Sequence, residues 1–227
     1  MEGLTSLQGI LFDFDGLIVD TETALFQAWQ ELYRDFNREL TLKEWAGYVG
    51  KSIEETDPVK TFLDSLGGKV DRKALREEIG SREKRFVNQT EILPGVKELI
   101  LRAKKQGLKL GIVSSSDRDW VVTHLRRLSL EACFEHISSS DEVERAKPDP
   151  ALYQLGLSKA GLDPNQVIVL EDSPNGVLAA KRAGLFCIAV PNPLTRQLSY
   201  HPNGGQPDRI IQSLEDFSLE DYLQEAV

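Results

Sequence analysis

A chain of 227 residues is long enough for one large domain, or for a core domain carrying a smaller insert. Its apolar fraction of 41% and charged fraction of 28% are those of a globular protein, and 36 acidic against 27 basic residues leave a net charge of -9. That balance, without a basic patch, speaks against a nucleic-acid partner, and no apolar run reaches the roughly 18 to 20 residues of a membrane helix.

The first residues, "MEGLTSLQGILFDFDG", carry no charged leader and no cleavage site, so no signal peptide is expected. Cys133 and Cys187 stand far apart in apolar surroundings and read as two buried free thiols. Together these features predict a cytoplasmic protein.

The apolar run "ILFDF" predicts a buried strand ending in two acids, Asp13 and Asp15. Strand side chains alternate, so Ile10, Phe12 and Phe14 are expected on one face and Leu11, Asp13 and Asp15 on the other. Next, "TETALFQAWQELYRDFN" places Leu25, Ala28, Trp29, Leu32, Tyr33 and Phe36 at helical spacing. Asp20 reads as a cap before that helix, and Trp29 and Trp45 as packing residues. Thr41 followed by Glu44 forms a capping box for a second helix. Residues 53–90 continue as charge-rich helix with breaks at Pro58 and at "LGG", and no strand signal appears between about 21 and 91.

From "ILPGVKELI" onward the pattern changes. A helix over 95–106 ends at Gly107, and "LKLGIVSSS" is a strand. A helix over about 118–128 precedes the short strand "HISSS". Pro150 opens a helix running to about 160, and "VIVLED" is a strand. Pro174 opens a further helix that Gly184 closes. "FCIAV" is a strand, and "RIIQSL" a candidate last one, after a loop-like stretch over 190–208. This alternation predicts an α/β fold: a parallel Rossmann-like sheet with helices on both faces. Residues 1–20 and 91–227 would form it, with 21–90 an all-helical domain inserted after the first strand.

In open parallel sheets ligands bind beyond the carboxyl ends of the strands. Those ends collect Asp13, Asp15, Ser114, Ser115, Ser116, Glu171 and Asp172, with Lys147 in the loop "ERAKPDP". Carboxylates are hard ligands suited to Mg²⁺, which favours one or two of them together with phosphate oxygens and water. Serine hydroxyls, the amides of a helix N-terminus and a lysine ammonium suit a phosphoryl group. A divalent cation and Lys147 would balance the like charges of Asp13 and Asp15. His124, His136 and His201 show no metal-ligand spacing and read as structural or surface residues.

Taken in order, "DFDGLIVDTE", "VSSS", "AKPDP" and "VIVLEDSPNGVLAAKRAG" resemble the four motifs of the haloacid dehalogenase-like (HAD) hydrolase superfamily. The closest likeness is to its branch with a helical cap after the first strand, which contains β-phosphoglucomutase and phosphoglycolate phosphatase. The resemblance implies that Asp13 is a nucleophile forming an aspartyl-phosphate, and that Asp15 is the general acid and then base. It further implies Mg²⁺ held by the Asp13 and Asp172 side chains and the Asp15 carbonyl, with Glu171 acting directly or through water. Ser114 and Lys147 would hold phosphoryl oxygens. Gly16 would let the chain turn into a flap leading to the cap. An acid at position 15 points to a phosphate ester, since dehalogenases and phosphonatases of the superfamily lack one there.

The cap is then expected to choose the substrate. "YVGKS" resembles the cap loop that faces the active site in this branch, which makes Lys51 and Ser52, with Ser115 of the core, expected substrate contacts. Lys84 and Arg85 read as a solvated helix face. The β-phosphoglucomutase pattern has a histidine on the first cap helix, and the chain has Leu25 there. The expected activity is therefore a Mg²⁺-dependent phosphatase acting on a small sugar or polyol phosphate, as a monomer or weak dimer; the alternative is a phosphomutase.

Overall fold

A computed structural model describes residues 4, 6–48, 57–67 and 70–223. They form two compact units, residues 1–20 with 91–227, and residues 21–90.

In the first unit β1 (Gly9–Phe12) lies at the centre of a parallel six-stranded sheet. The other strands are β2 (Lys109–Val113), β3 (His136–Ser138), β4 (Val167–Glu171), β5 (Phe186–Ala189) and β6 (Arg209–Ile210), in the order β3-β2-β1-β4-β5-β6. Each inner strand reads as a continuous apolar run because both of its faces are covered. Ile10, Phe12, Ile112 and Leu170 join one core with Leu99 and Ile100 of α5 (Val96–Lys105) and Leu125 of α6 (Arg118–Arg127). Leu11, Val113 and Val169 join the other with Leu152 and Tyr153 of α7 (Ala151–Ala160) and Val177 of α8 (Pro174–Arg182). A short α9 (Glu220–Leu223) follows the sheet, and its Tyr222 packs into the first core. Strand order reverses between β1 and β4, and the crevice at such a reversal is where open sheets bind ligands.

The apolar alternation of Ile10, Leu11, Phe12 and Phe14 holds, but the ladder does not extend to Asp15. Asp13 makes the last bond of the pairing with β4, from its N–H to the Leu170 carbonyl at 3.0 Å. The chain then turns: the Gly16 N–H donates to the Val19 carbonyl at 2.7 Å, and Gly16 has φ +88°. Turn geometry, rather than strand alternation, therefore aims Asp15. Similarly, β2 stops at Val113, so Ser114 to Ser116 lie past the strand. The final strand shrinks to the two exposed residues Arg209 and Ile210.

The second unit contains α1 (Thr21–Asp35), α2 (Leu42–Ala46), α3 (Pro58–Ser65) and α4 (Arg72–Asn88), and no strand among the described residues. The Thr41–Glu44 capping box is present. Pro58 opens α3 rather than breaking a helix, behind an Asp57 cap that accepts from the Lys60 N–H at 3.0 Å. Phe26, not Leu25, is buried from the first turns of α1. Aromatic rings fill the unit's interior. Tyr33, Phe36 and Trp29 surround Phe62 at centroid distances of 4.4, 5.3 and 6.3 Å.

Candidate active site

The end of β1 delivers Asp13 into a buried position, where it is 6% exposed. Lys147, from the loop before α7, meets it there. Its ammonium donates to Asp13 Oδ1 at 2.7 Å, to Glu171 Oε1 at 2.6 Å and to the Val113 carbonyl at 2.8 Å. Three acceptors satisfy the three N–H groups of an ammonium. The ring of Tyr153 lies 5.0 Å beneath it. Burial pulls the Lys147 ammonium down, but Asp13 and Glu171 outweigh that and hold it above its usual range. Burial and the charge of Glu171 push Asp13 up to about 7, against the pull of Lys147.

Glu171, the last residue of β4, is fully buried and closely held. Besides Lys147, it accepts from the Tyr153 hydroxyl at 2.8 Å and from the Ser173 N–H and hydroxyl, each at 3.2 Å. Burial and the nearby Glu171 keep the Tyr153 phenol well above its ordinary value, so it stays a neutral donor. Ser173 caps α8, accepting from the Gly176 N–H at 3.1 Å. A side chain at position 176 would start 1.8 Å from Glu171 Oε1, so only glycine fits that turn.

Asp172 is turned by Asn192, whose amide donates to Asp172 Oδ2 at 2.8 Å and reaches the Gly16 carbonyl at 3.3 Å. Asn192 is itself fixed, because its Oδ1 accepts from the N–H groups of Leu194 at 3.0 Å and Thr195 at 2.9 Å. Gly16 is required for space as well as for its φ: a Cβ there would lie 2.3 Å from Asp172 Oδ2.

Asp13, Glu171 and Asp172 each present an oxygen within 4.8 Å of the others, all buried. Lys147 bonds two of the three, Asp13 and Glu171. Three buried hard oxygen donors at this spacing fit a divalent cation of the Mg²⁺ type. No histidine joins the cluster. His124 is buried and its Nδ1 accepts from Arg127 at 3.3 Å, while His201 bonds to Asn175 at 3.0 Å.

Asp15 faces the end of β2. Ser116 Oγ donates to its Oδ2 at 2.7 Å and Ser114 Oγ lies 3.3 Å from the same oxygen. The indole N–H of Trp120 donates to Oδ1 at 3.0 Å. Ser115 is exposed between the two bonded serines. Asp13, Asp15, Ser114, Lys147, Glu171 and Asp172 are thus brought together, whereas Lys51 and Ser52 lie outside the described residues. Tyr153, Asn192 and Trp120 were not singled out by the motifs. Tyr153 and Trp120 sit at apolar positions of amphipathic helices, and Asn192 sits in a stretch read as loop. Arg85 lies on the solvated face expected for it, 51% exposed, and there bonds both oxygens of Glu31 at 2.7 Å.

Residues 10–190 match the family described as haloacid dehalogenase-like hydrolase. Among curated proteins, the chain is 37% identical to the Bacillus subtilis (strain 168) protein named "Putative phosphatase YhcW", over 94% of each chain. It is 30% identical to the "Phosphorylated carbohydrates phosphatase" of Thermotoga maritima, covering 79% of this chain and 82% of that one. Among solved structures, it resembles CbbY from Rhodobacter sphaeroides in complex with phosphate, with a TM-score of 0.71 and 25% identity over 92% of this chain and 96% of the other.

Proposed function

The chain belongs to the haloacid dehalogenase-like hydrolases and is a phosphoric monoester hydrolase, and we propose that it hydrolyses a small sugar or polyol phosphate with Mg²⁺ through an aspartyl-phosphate on Asp13. The observation that carries this is the pairing of two differently held carboxylates. Asp13 is buried against Lys147, while Asp15 is held by hydroxyl and indole donors beside it. Such a pair can divide nucleophile from acid.

Asp13 attacks phosphorus in line as the bond to the ester oxygen breaks, and Asp15 gives that oxygen its proton. Asp15 then takes a proton from water, whose oxygen attacks the phosphorus of the aspartyl-phosphate. Inorganic phosphate leaves and Asp13 is restored. On this reading Lys147 exchanges one of its three acceptors for a phosphoryl oxygen and the Ser114 hydroxyl turns from Asp15 to another, so alignment and charge neutralisation supply most of the acceleration. The Asp13 and Asp172 side chains and the Asp15 carbonyl would hold the cation, with Glu171 reaching it through water because its hydrogen bonds already tie it to Lys147, Tyr153 and Ser173. Bound there, Mg²⁺ supplies positive charge to the phosphoryl oxygens. The helical unit, 21–90, is the proposed selector of the ester.

An assay across phosphorylated metabolites, with Mg²⁺ and with a chelator, tests this reading. Release of inorganic phosphate from sugar or polyol phosphates, abolished by chelation and restored by Mg²⁺, is the expected result. Undiminished hydrolysis under chelation would remove the metal assignment. Conversion of a hexose phosphate to an isomer, without phosphate release, would replace the phosphatase with the phosphomutase.

A further inference from the structure

Asp15 has a partner outside the family-like motifs. Trp120 lies in the first turn of α6, two residues past Arg118, and two independent contacts fix it. The helix cap Asp117 accepts from the Trp120 backbone N–H at 2.7 Å. The indole packs edge-on against His124 one turn later, with ring centroids 4.5 Å apart. From this seat the indole N–H reaches Asp15 Oδ1 at 3.0 Å, while Ser116 Oγ occupies Oδ2 at 2.7 Å.

The two oxygens of Asp15 therefore face chemically different neighbours. An indole N–H can only donate, whereas a serine hydroxyl donates or accepts as its hydrogen rotates. A protonated carboxyl needs an acceptor, or a leaving group, at the oxygen that carries the hydrogen. Oδ1, facing a donor, is the wrong oxygen for that hydrogen; Oδ2, facing hydroxyls that can turn round, is the right one.

We propose that Trp120 is a positioning residue for proton transfer: its indole keeps Oδ1 of Asp15 a permanent acceptor, so that Oδ2 gives the proton to the leaving oxygen and takes it back from water. This rests on the acid–base reading of Asp15. Trp120 does not touch the phosphoryl group in this scheme. It acts through Asp15 alone, so in the first step, transfer of the phosphoryl group to Asp13, its importance follows how much the leaving group needs a proton. An alkyl alkoxide needs one; a nitrophenolate departs without.

The test compares one alkyl phosphate that the enzyme hydrolyses with p-nitrophenyl phosphate, in wild type, Trp120→Phe, Asp15→Asn and the double variant. With Trp120→Phe, the single-turnover rate of leaving-group release is expected to fall about 10-fold for the alkyl ester and about 2-fold for the nitrophenyl ester, a fraction of the roughly 10²-fold or more that a general acid contributes. In the Asp15→Asn background the same substitution should add no further loss, because residues that act as one unit are non-additive. Replacing Trp120 with its benzothiophene analogue keeps the ring shape and removes only the N–H; it should reproduce the split even if the Phe variant folds poorly. Equal loss of that single-turnover rate on both esters, or an additive loss in the double variant, would overturn the inference by showing a structural role. An unchanged ratio in the benzothiophene variant would overturn it too. If Asp15→Asn itself slows leaving-group release from both esters equally in a single turnover, the general-acid reading fails, and the two failures are told apart.

Discussion

Two regions of this molecule build networks from the same kinds of charged residue. At the strand ends of the α/β unit, one lysine bridges two acids: Lys147, Asp13 and Glu171 have side chains 5%, 9% and 0% exposed. In the helical unit, Arg82 bridges α4 to α1 through Asp35 at 2.6 Å, with Glu78 at 2.7 Å on its own helix. The arginine there is 14% exposed, but Asp35 and Glu78 are 53% and 54% exposed. Water screens the second network and is shut out of the first. Buried charges attract strongly but are costly to leave unpaired, while exposed ones contribute little either way. The same chemistry therefore makes a reactive site in one unit and a helix-to-helix clasp in the other.

The largest expected effect is at the proposed nucleophile, Asp13. Asp13→Asn keeps the shape and removes the attacking charge, so turnover should fall by roughly 10⁴-fold or more, the scale seen for lost covalent nucleophiles. Folding should survive, because Lys147 keeps Glu171 as its counter-ion. Retention of more than a few per cent of turnover would exclude the aspartyl-phosphate route.

A smaller effect is expected when the shared cation is removed. Lys147→Met leaves two buried acids facing each other, which should lower stability by about 3 kcal/mol in denaturant titration of the metal-free protein. Divalent cation should recover part of that loss by taking over the charge. A variant as stable as wild type without metal would mean the buried trio is more hydrated than its exposure implies.

The smallest effect belongs to the clasp. Arg85 and Glu31 are 51% and 35% exposed although their geometry is close. Arg85→Gln should change the unfolding free energy by no more than about 0.5 kcal/mol in denaturant titration. A loss as large as that of Lys147→Met would erase the contrast between the regions.

How legible all this was in the sequence follows the same division. Alternating apolar runs and capped helices announce the parallel sheet because burial on both faces leaves a periodic mark. Asp13, Lys147, Glu171 and Asp172 were legible because each sits where a strand or its loop ends. Trp120 and Tyr153 were not. Their positions suit plain apolar packing, and what distinguishes them is a polar tip reaching across to another element. Asn192 hid for the opposite reason: a polar residue among prolines reads as solvated loop, yet it is 7% exposed and turns Asp172. The aim of Asp15 was misread because alternation was carried past the point where Gly16 bends the chain.

The place of β1 in the sheet also says when the site comes into being. This strand is synthesised first but lies in the middle, pairing Gly9 with Lys109 on one side and Val167 on the other. Lys147 reaches Asp13 from 134 positions away. A growing chain thus carries Asp13 long before Lys147, Glu171 and Asp172, the residues that surround it, have been made. Such non-local pairing slows folding and leaves the apolar strand "GILF" without partners until β2 and β4 have followed. Recovery of activity after dilution from denaturant would consequently report assembly of the entire sheet, and should trail the recovery of helical signal.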